Sequence, residues 1–192
     1  MSAEAGSLLP PPPLRERRWI PAITLVALIV GVVSGGHVLS DALGQARSGA
    51  VAVGDSVEIA PVPGWELAER FEDPTGIRLT SGSASLDVAE LPFSGTDVDL
   101  LREYVDNVLA PQAEQLRLSE EVEPVRFENG LTGSRIAYVG QFGDVQTPVE
   151  GEITTVVSPL GTGVVFDGWA PTGQLQLSLD DLHAMIETAE IA

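Results

Sequence analysis

The stretch from Trp19 to Ser40, WIPAITLVALIVGVVSGGHVLS, runs for 22 residues without an Asp, Glu, Lys or Arg, and its centre from Ile23 to Val33 is almost wholly aliphatic. A helix rising ~1.5 Å per residue over that length reaches ~30 Å, the thickness of a bilayer's hydrocarbon core. Buried helices of soluble proteins usually keep a polar face at this length, and this stretch has none. It reads as a transmembrane helix over 19–40. That divides the chain into a tail 1–18, the span, a linker 41–55 and a domain 56–192.

Charge gives the orientation. Arg15, Arg17 and Arg18 precede the span and only Arg47 lies near its far end. Positive residues stay on the cytoplasmic side, which places the N-terminus inside and everything after about Asp41 outside. A cleaved signal peptide shares the basic start and apolar centre, and Gly44-Gln45-Ala46 offers small residues for its cleavage. The apolar run outlasts an ordinary signal core, however, so an uncleaved anchor in the bilayer is the expectation. Within it, Ala27, Gly31 and Gly35 recur every four residues. This small-xxx-small stripe makes them candidates for helix pairing and for a weak homodimer, although Gly and Ala are also common in spans of such composition.

The acids are concentrated beyond the membrane. From Asp41 onward 26 of them face seven arginines, within a net charge of −18. Such a domain is repelled by nucleic acid, which is excluded as a partner, and it favours a protein partner with a basic patch. There is no cysteine. Lipid acylation at cysteine and disulfides are therefore unavailable, and an exported domain must be held by its core alone. Pro10 to Pro13 make a short polyproline stretch, which in so short a tail is more often a spacer than an SH3-like ligand.

Periodicity then orders the domain. Val57–Ala60 reads as a strand before the Pro61-Val62-Pro63-Gly64 turn, and Gly76–Thr80 as another after the turn at Asp73-Pro74. Ala84–Leu91 alternates as a half-buried strand should. Val98, Leu101, Val105, Val108 and Leu109 fall at helical spacing behind Thr96 as N-cap, and Pro111 ends the helix. Val122–Phe127 and Leu131–Gln141 flank Asn129-Gly130, a strong hairpin signal. Val149–Val157 and Gly163–Trp169 flank a second turn, Ser158 to Gly161. A final helix opens at Ser178, with Leu179, Leu182, Met185, Ile186 and Ala189 facing inward. The expected class is α+β, an antiparallel sheet flanked by helices and preceded by one transmembrane helix.

Candidate chemistry is sparse. Of the two histidines, His37 falls at the end of the span, and His183 reads as a surface imidazole near Asp180 and Asp181. Glu150 and Glu152 share one face of a strand and, with Asp167, are the candidates for acid–base work on envelope substrates. In so acidic a domain such a pair is expected by chance, and a solvated sheet face is the better account of it. No G-x-S-x-G elbow, calcium loop or zinc-type spacing appears, so no catalytic, metal or cofactor residue is assigned. Trp65 and Trp169 read as core or edge of core.

One resemblance emerges from the order of elements. Pro63-Gly64-Trp65, then Ala84-Ser85-Leu86-Asp87-Val88, a helix, Asn129-Gly130 leading into Arg135 to Tyr138, a second hairpin and a closing helix ending in Ile191 resemble the Mog1/PsbP-like superfamily, in its actinobacterial exported form. The resemblance covers most of 56–192 and implies a central antiparallel sheet flanked by helices. It also implies a non-enzymatic role, since members serve as adaptors or assembly factors: photosystem-associated proteins, a Ran-binding protein and exported lipoproteins. The chain departs from the lipoproteins in lacking a cysteine to acylate. The expectation is a membrane-anchored extracytoplasmic adaptor for an envelope or membrane protein. A carrier or sensor of an apolar ligand, and an acid–base hydrolase, stand as alternatives.

Overall fold

The structure, a computed structural model, describes residues 49–143 and 147–192. The expected span 19–40 with Ala27, Gly31 and Gly35, the tail 1–18, His37 and linker residues 41–48 lie outside the described residues. No helix among the described residues is long and apolar enough to cross a membrane.

Among the described residues eleven strands form two antiparallel sheets. The large sheet has the order β3-β4-β5-β10-β9-β8-β6, with β7 also paired to β8. Its strands are β3 (Glu66–Glu72), β4 (Thr75–Ser81), β5 (Ala84–Pro92), β6 (Ala113–Leu118), β7 (Glu123–Arg126), β8 (Thr132–Phe142), β9 (Val149–Val157) and β10 (Thr162–Pro171). The eleven-residue β8 is long enough to carry β7 along Thr132–Arg135 and β6 along Tyr138–Phe142. Both outer strands β3 and β6 contain a register shift, at Leu67/Glu69 and at Ala113/Gln115. A small sheet of order β1-β2-β11 joins Val51–Val53, Val57–Ile59 and Glu190–Ile191.

Both expected hairpins form. Gly130 and Gly161 adopt φ of 87° and 85°, a conformation that costs glycine least. Helix α1 (Asp97–Tyr104) begins at Thr96 with a full capping box: the Thr96 hydroxyl accepts from the Asp99 N–H, and Asp99 accepts from the Thr96 N–H. The Thr96 hydroxyl also donates to the Asp99 carboxylate at 2.7 Å, and that bond, with the one from the Thr96 N–H, holds the Asp99 carboxyl below its ordinary range. The helical path continues as a π-turn, Val105–Leu109, and a 3-10 turn, Ala110–Gln112. Leu100 and Leu101 are buried, whereas Val98, expected inward, is 38% exposed.

Three expectations are corrected. The linker was to run to residue 55, yet Val51 and Val53 are buried and pair with β2, because β2 must cover its apolar face and its open edge. The closing helix, α2 (Leu179–Glu187), stops before Ile191, and Glu190–Ile191 instead completes the small sheet beside β2. Strands β3 and β6 occupy segments without a strand signal, for reasons considered below.

The layers follow from strand alternation. One face of the large sheet is covered by α1 and its π-turn, which pack Leu101, Tyr104, Val105 and Leu109 on Ile136, Ile153 and Val165. On the other face α2 and the small sheet bury Leu182, Met185, Ile59 and Val53 with Leu86, Val88 and Phe166. The domain is α+β, as its sequence indicates.

Candidate binding surfaces and buried charge

Register places an uncommon row of side chains across the α1 face. Glu69, Arg78, Asp87, Asp167, Ile153 and Ile136 stand directly opposite one another on β3, β4, β5, β10, β9 and β8. Directly paired residues keep their Cβ atoms ~5 Å apart, so Asp87 and Asp167 are like charges at close quarters. Arg78 resolves half of that conflict. Its Nε and Nη2 donate to the two oxygens of Asp87 at 2.6 and 2.9 Å, in the bidentate geometry guanidinium favours. Glu69 lies 3.7 Å from the same guanidinium, and Phe71 packs under it at 5.6 Å.

Asp167 is 3% exposed and is held otherwise. Tyr104 of α1 donates to its Oδ2 at 2.8 Å and Tyr138 of β8 to its Oδ1 at 2.9 Å. These are the two tyrosines of the whole chain. Burial, and then the Asp87 charge, push the Asp167 carboxyl up to about 7, against the two tyrosine bonds and Arg78. The same burial, with the Asp167 charge, raises both tyrosines well above their ordinary value, so they remain donors. Beside them a recess of about 10 Å³, lined by Phe71, Asp87, Tyr104 and Asp167, has room for about one water.

The opposite face carries a second cluster. Glu152 meets His183 Nε2 at 2.7 Å and Arg135 at 3.7 Å, and Arg135 also donates to Thr154 at 3.1 Å. Arg135 Nη2 is buried without a hydrogen-bond partner and lies 3.6 Å from Glu187. The imidazole therefore pairs with β9 and not with Asp180 or Asp181 of its own helix. Asp181 instead accepts from the Trp65 indole at 3.3 Å.

The three carboxylates singled out for acid–base work do not converge. Asp167 pairs with Ile153 and Glu152 with Gly168, so the two carboxylates emerge on opposite faces of the sheet. Glu150 shares the face of Glu152 but accepts from the backbone N–H of Gly173 and Leu175, at 2.8 and 3.0 Å, fixing the turn before α2. Among the described residues no group of three or more His, Asp or Glu side chains is placed to hold a metal ion. Trp65 is core, and Trp169 is half-buried with its indole N–H 3.5 Å from Asp87.

A larger concavity lies elsewhere. Where the β1–β2 turn, β11 and the Asn129-Gly130 turn meet, a groove of about 620 Å³ opens at the small sheet. Asp55, Glu58, Glu128 and Glu190 line it beside Val57, Ala189 and Ile191, with no arginine among the lining residues. The buried arginines Arg78 and Arg135 are engaged inside the large sheet, and among the described residues none of the four groove acids is in an ion pair. Sequence reasoning missed this groove, because its walls come from three segments, around residues 52–58, 128–129 and 188–192, that are far apart in the chain.

No protein-family model matches the sequence, and no curated protein matches it. Solved structures do resemble it. Cyanobacterial PsbP from Synechocystis sp. PCC 6803 superposes with a TM-score of 0.54 at 15% identity, over 80% of this chain and 99% of that one. LpqN of Mycobacterium tuberculosis, involved in cell envelope biogenesis, gives 0.51 at 14% identity over 76% and 91%. The Saccharomyces cerevisiae Ran-binding protein Mog1p gives 0.50 at 12% identity over 76% and 95%. At such identities the likeness is one of architecture, and it establishes that this chain has the Mog1/PsbP-like fold.

Proposed function

We propose that this chain is a non-enzymatic binding module of the cell envelope, anchored by residues 19–40 with its domain outside the membrane, and docking onto a basic patch of a membrane or envelope protein. The observation that carries the reading is the acidic groove at the small sheet, whose four carboxylates are in no ion pair among the described residues. The neighbours support it, one taking part in envelope biogenesis and another binding Ran. Since β1 begins at Val51, the tether shortens to residues 41–50, about 15–20 Å root-mean-square for a flexible chain. A partner in the same membrane then meets the domain at high effective concentration, and contacts between opposite charges weaken as salt rises.

Carbodiimide coupling in native membranes tests this, because it joins a carboxylate only to an amine held against it. The full chain should give one discrete adduct with a membrane or envelope protein. That adduct should fade in Glu58→Gln/Glu190→Gln and persist in Glu120→Gln/Glu121→Gln. Absence of any adduct above background refutes the binding module, while equal yield in both variants moves docking off the groove. Protease added to intact spheroplasts should digest the domain, and the chain should resist carbonate extraction. A soluble mature form starting near Arg47 would refute the anchor.

A further inference from the structure

We infer that Asp167 is a proton-operated latch between α1 and the sheet, closed when the carboxyl carries a proton and opened to water, at the Tyr104 end of the helix, when it does not. The geometry argues this before any titration does. One buried carboxyl is the shared acceptor for a helix and for a strand two places along the sheet, Tyr104 on one oxygen and Tyr138 on the other. The next strand places Asp87 directly opposite.

Every group facing Asp167 can be accounted for. From β5 comes the carboxylate of Asp87, and from β4 comes Arg78, already committed in bidentate fashion to Asp87. From β3, Glu69 draws on the same guanidinium. Tyr104 and Tyr138 are neutral donors, and β9 presents Ile153, which offers no charge. An ionised Asp167 would leave this row with three carboxylates to one guanidinium, inside the protein. Neither tyrosine hydroxyl can supply the missing unit of positive charge, so burial and Asp87 outweigh the hydrogen bonds and the proton is held up to about 7.

Each state has a structural consequence. With the proton bound, the carboxyl O–H needs an acceptor, and Asp87 is the carboxylate directly opposite on β5. Loss of the proton creates a buried charge whose nearest source of hydration is the adjoining recess. Tyr104 is the α1 residue among the walls of that recess, so hydrating the charge displaces the Tyr104 end of α1. The chain leaves regular α-helix there, with the π-turn beginning at Val105. Insertions of this kind often mark functional positions in helices. The latch thus sits where the helix is least regular, and it works across neutral pH.

Hydrogen exchange of the full chain in detergent micelles reads the opening, after correction for intrinsic rate. Amides from Tyr104 to Leu109 should lose protection between pH 6 and 8, most steeply below 7, where the slope approaches tenfold per unit, and levelling off above it, while amides of β9 stay unchanged. Asp167→Asn should abolish the pH dependence of the helix amides. Infrared difference spectra of the wild type give a second readout that needs no variant: a protonated carboxyl carbonyl band should vanish over the same interval. A band that vanishes only below pH 5 overturns the latch, as does protection that is flat from pH 6 to 8, or equally pH-dependent in Asp167→Asn.

Discussion

Substituting Gly151 by alanine asks whether the Tyr138 ring fills the space that the glycine leaves. Gly151 lies opposite Tyr138 on β8 and opposite Trp169 on β10. A Cβ placed on it would fall 2.5 Å from Tyr138 Cζ and 2.6 Å from both Cε1 and Oη, far inside the ~3.5–4 Å of an unstrained carbon contact. The ring has little room to yield. It is 4% exposed, packs edge-on against Phe142 at 6.2 Å, and ends in the bond to Asp167. Overpacking costs about 1–3 kcal/mol, and leaving the buried Tyr138 hydroxyl or its acceptor unpaired another ~1–3. The stiffer unfolded chain returns about 0.5–1 kcal/mol. The net expectation is a loss of about 2–5 kcal/mol, or a melting point lower by roughly 5–15 °C for a domain of this size. Thermal and urea melts followed by circular dichroism measure it. In a Tyr138→Leu background the same alanine should cost less than about 0.5 kcal/mol, leaving a coupling of about 2 kcal/mol or more. A melting point within about 2 °C of wild type, or an equal loss in both backgrounds, would refute the reasoning.

Two further outcomes are expected. Thr96→Ala removes the acceptor for the Asp99 N–H and should lower stability by about 1 kcal/mol in denaturant melts, with m unchanged. Arg78→Met leaves Asp87 buried without its cation and should cost about 3–5 kcal/mol, while Arg78→Met/Asp87→Leu should recover most of it, as a double-mutant cycle would show.

Much of this architecture was legible because many elements announce themselves locally. Thr96 with its acidic first turn, Asn129-Gly130, Ser158 to Gly161 and the alternation of Ala84–Leu91 each encode structure within a few residues, and each formed. The segments that escaped notice bury little. Glu66–Glu72 and Ala113–Leu118 are outer strands with no fully buried residue, so neither had to alternate in hydrophobicity. Val51–Val53 and Glu190–Ile191 are too short to show a period and exist by virtue of β2 between them. The buried charge row was hidden for another reason. Asp167 could be named from the sequence as an acid on a strand, but Tyr104 lies 63 positions away and Tyr138 lies 29 away. Only strand register brings them together. A usable signal did exist: a chain with two tyrosines that sets both at inward positions, one on a helix stripe and one in a strand, has a polar group to satisfy inside.

The margins of the large sheet have a consequence for how copies of this protein can share a crowded surface. A straight strand at a sheet's border invites an identical strand to extend it, and the invitation strengthens with local density. Here one border is β3, where Glu66, Glu69 and Glu72 accompany a register shift, and the other is β6, shifted at its start and only six residues long. Two copies approaching by their β3 borders would bring glutamates together, and neither border offers a backbone straight enough to zip. High surface density can then accumulate without seeding a fibre.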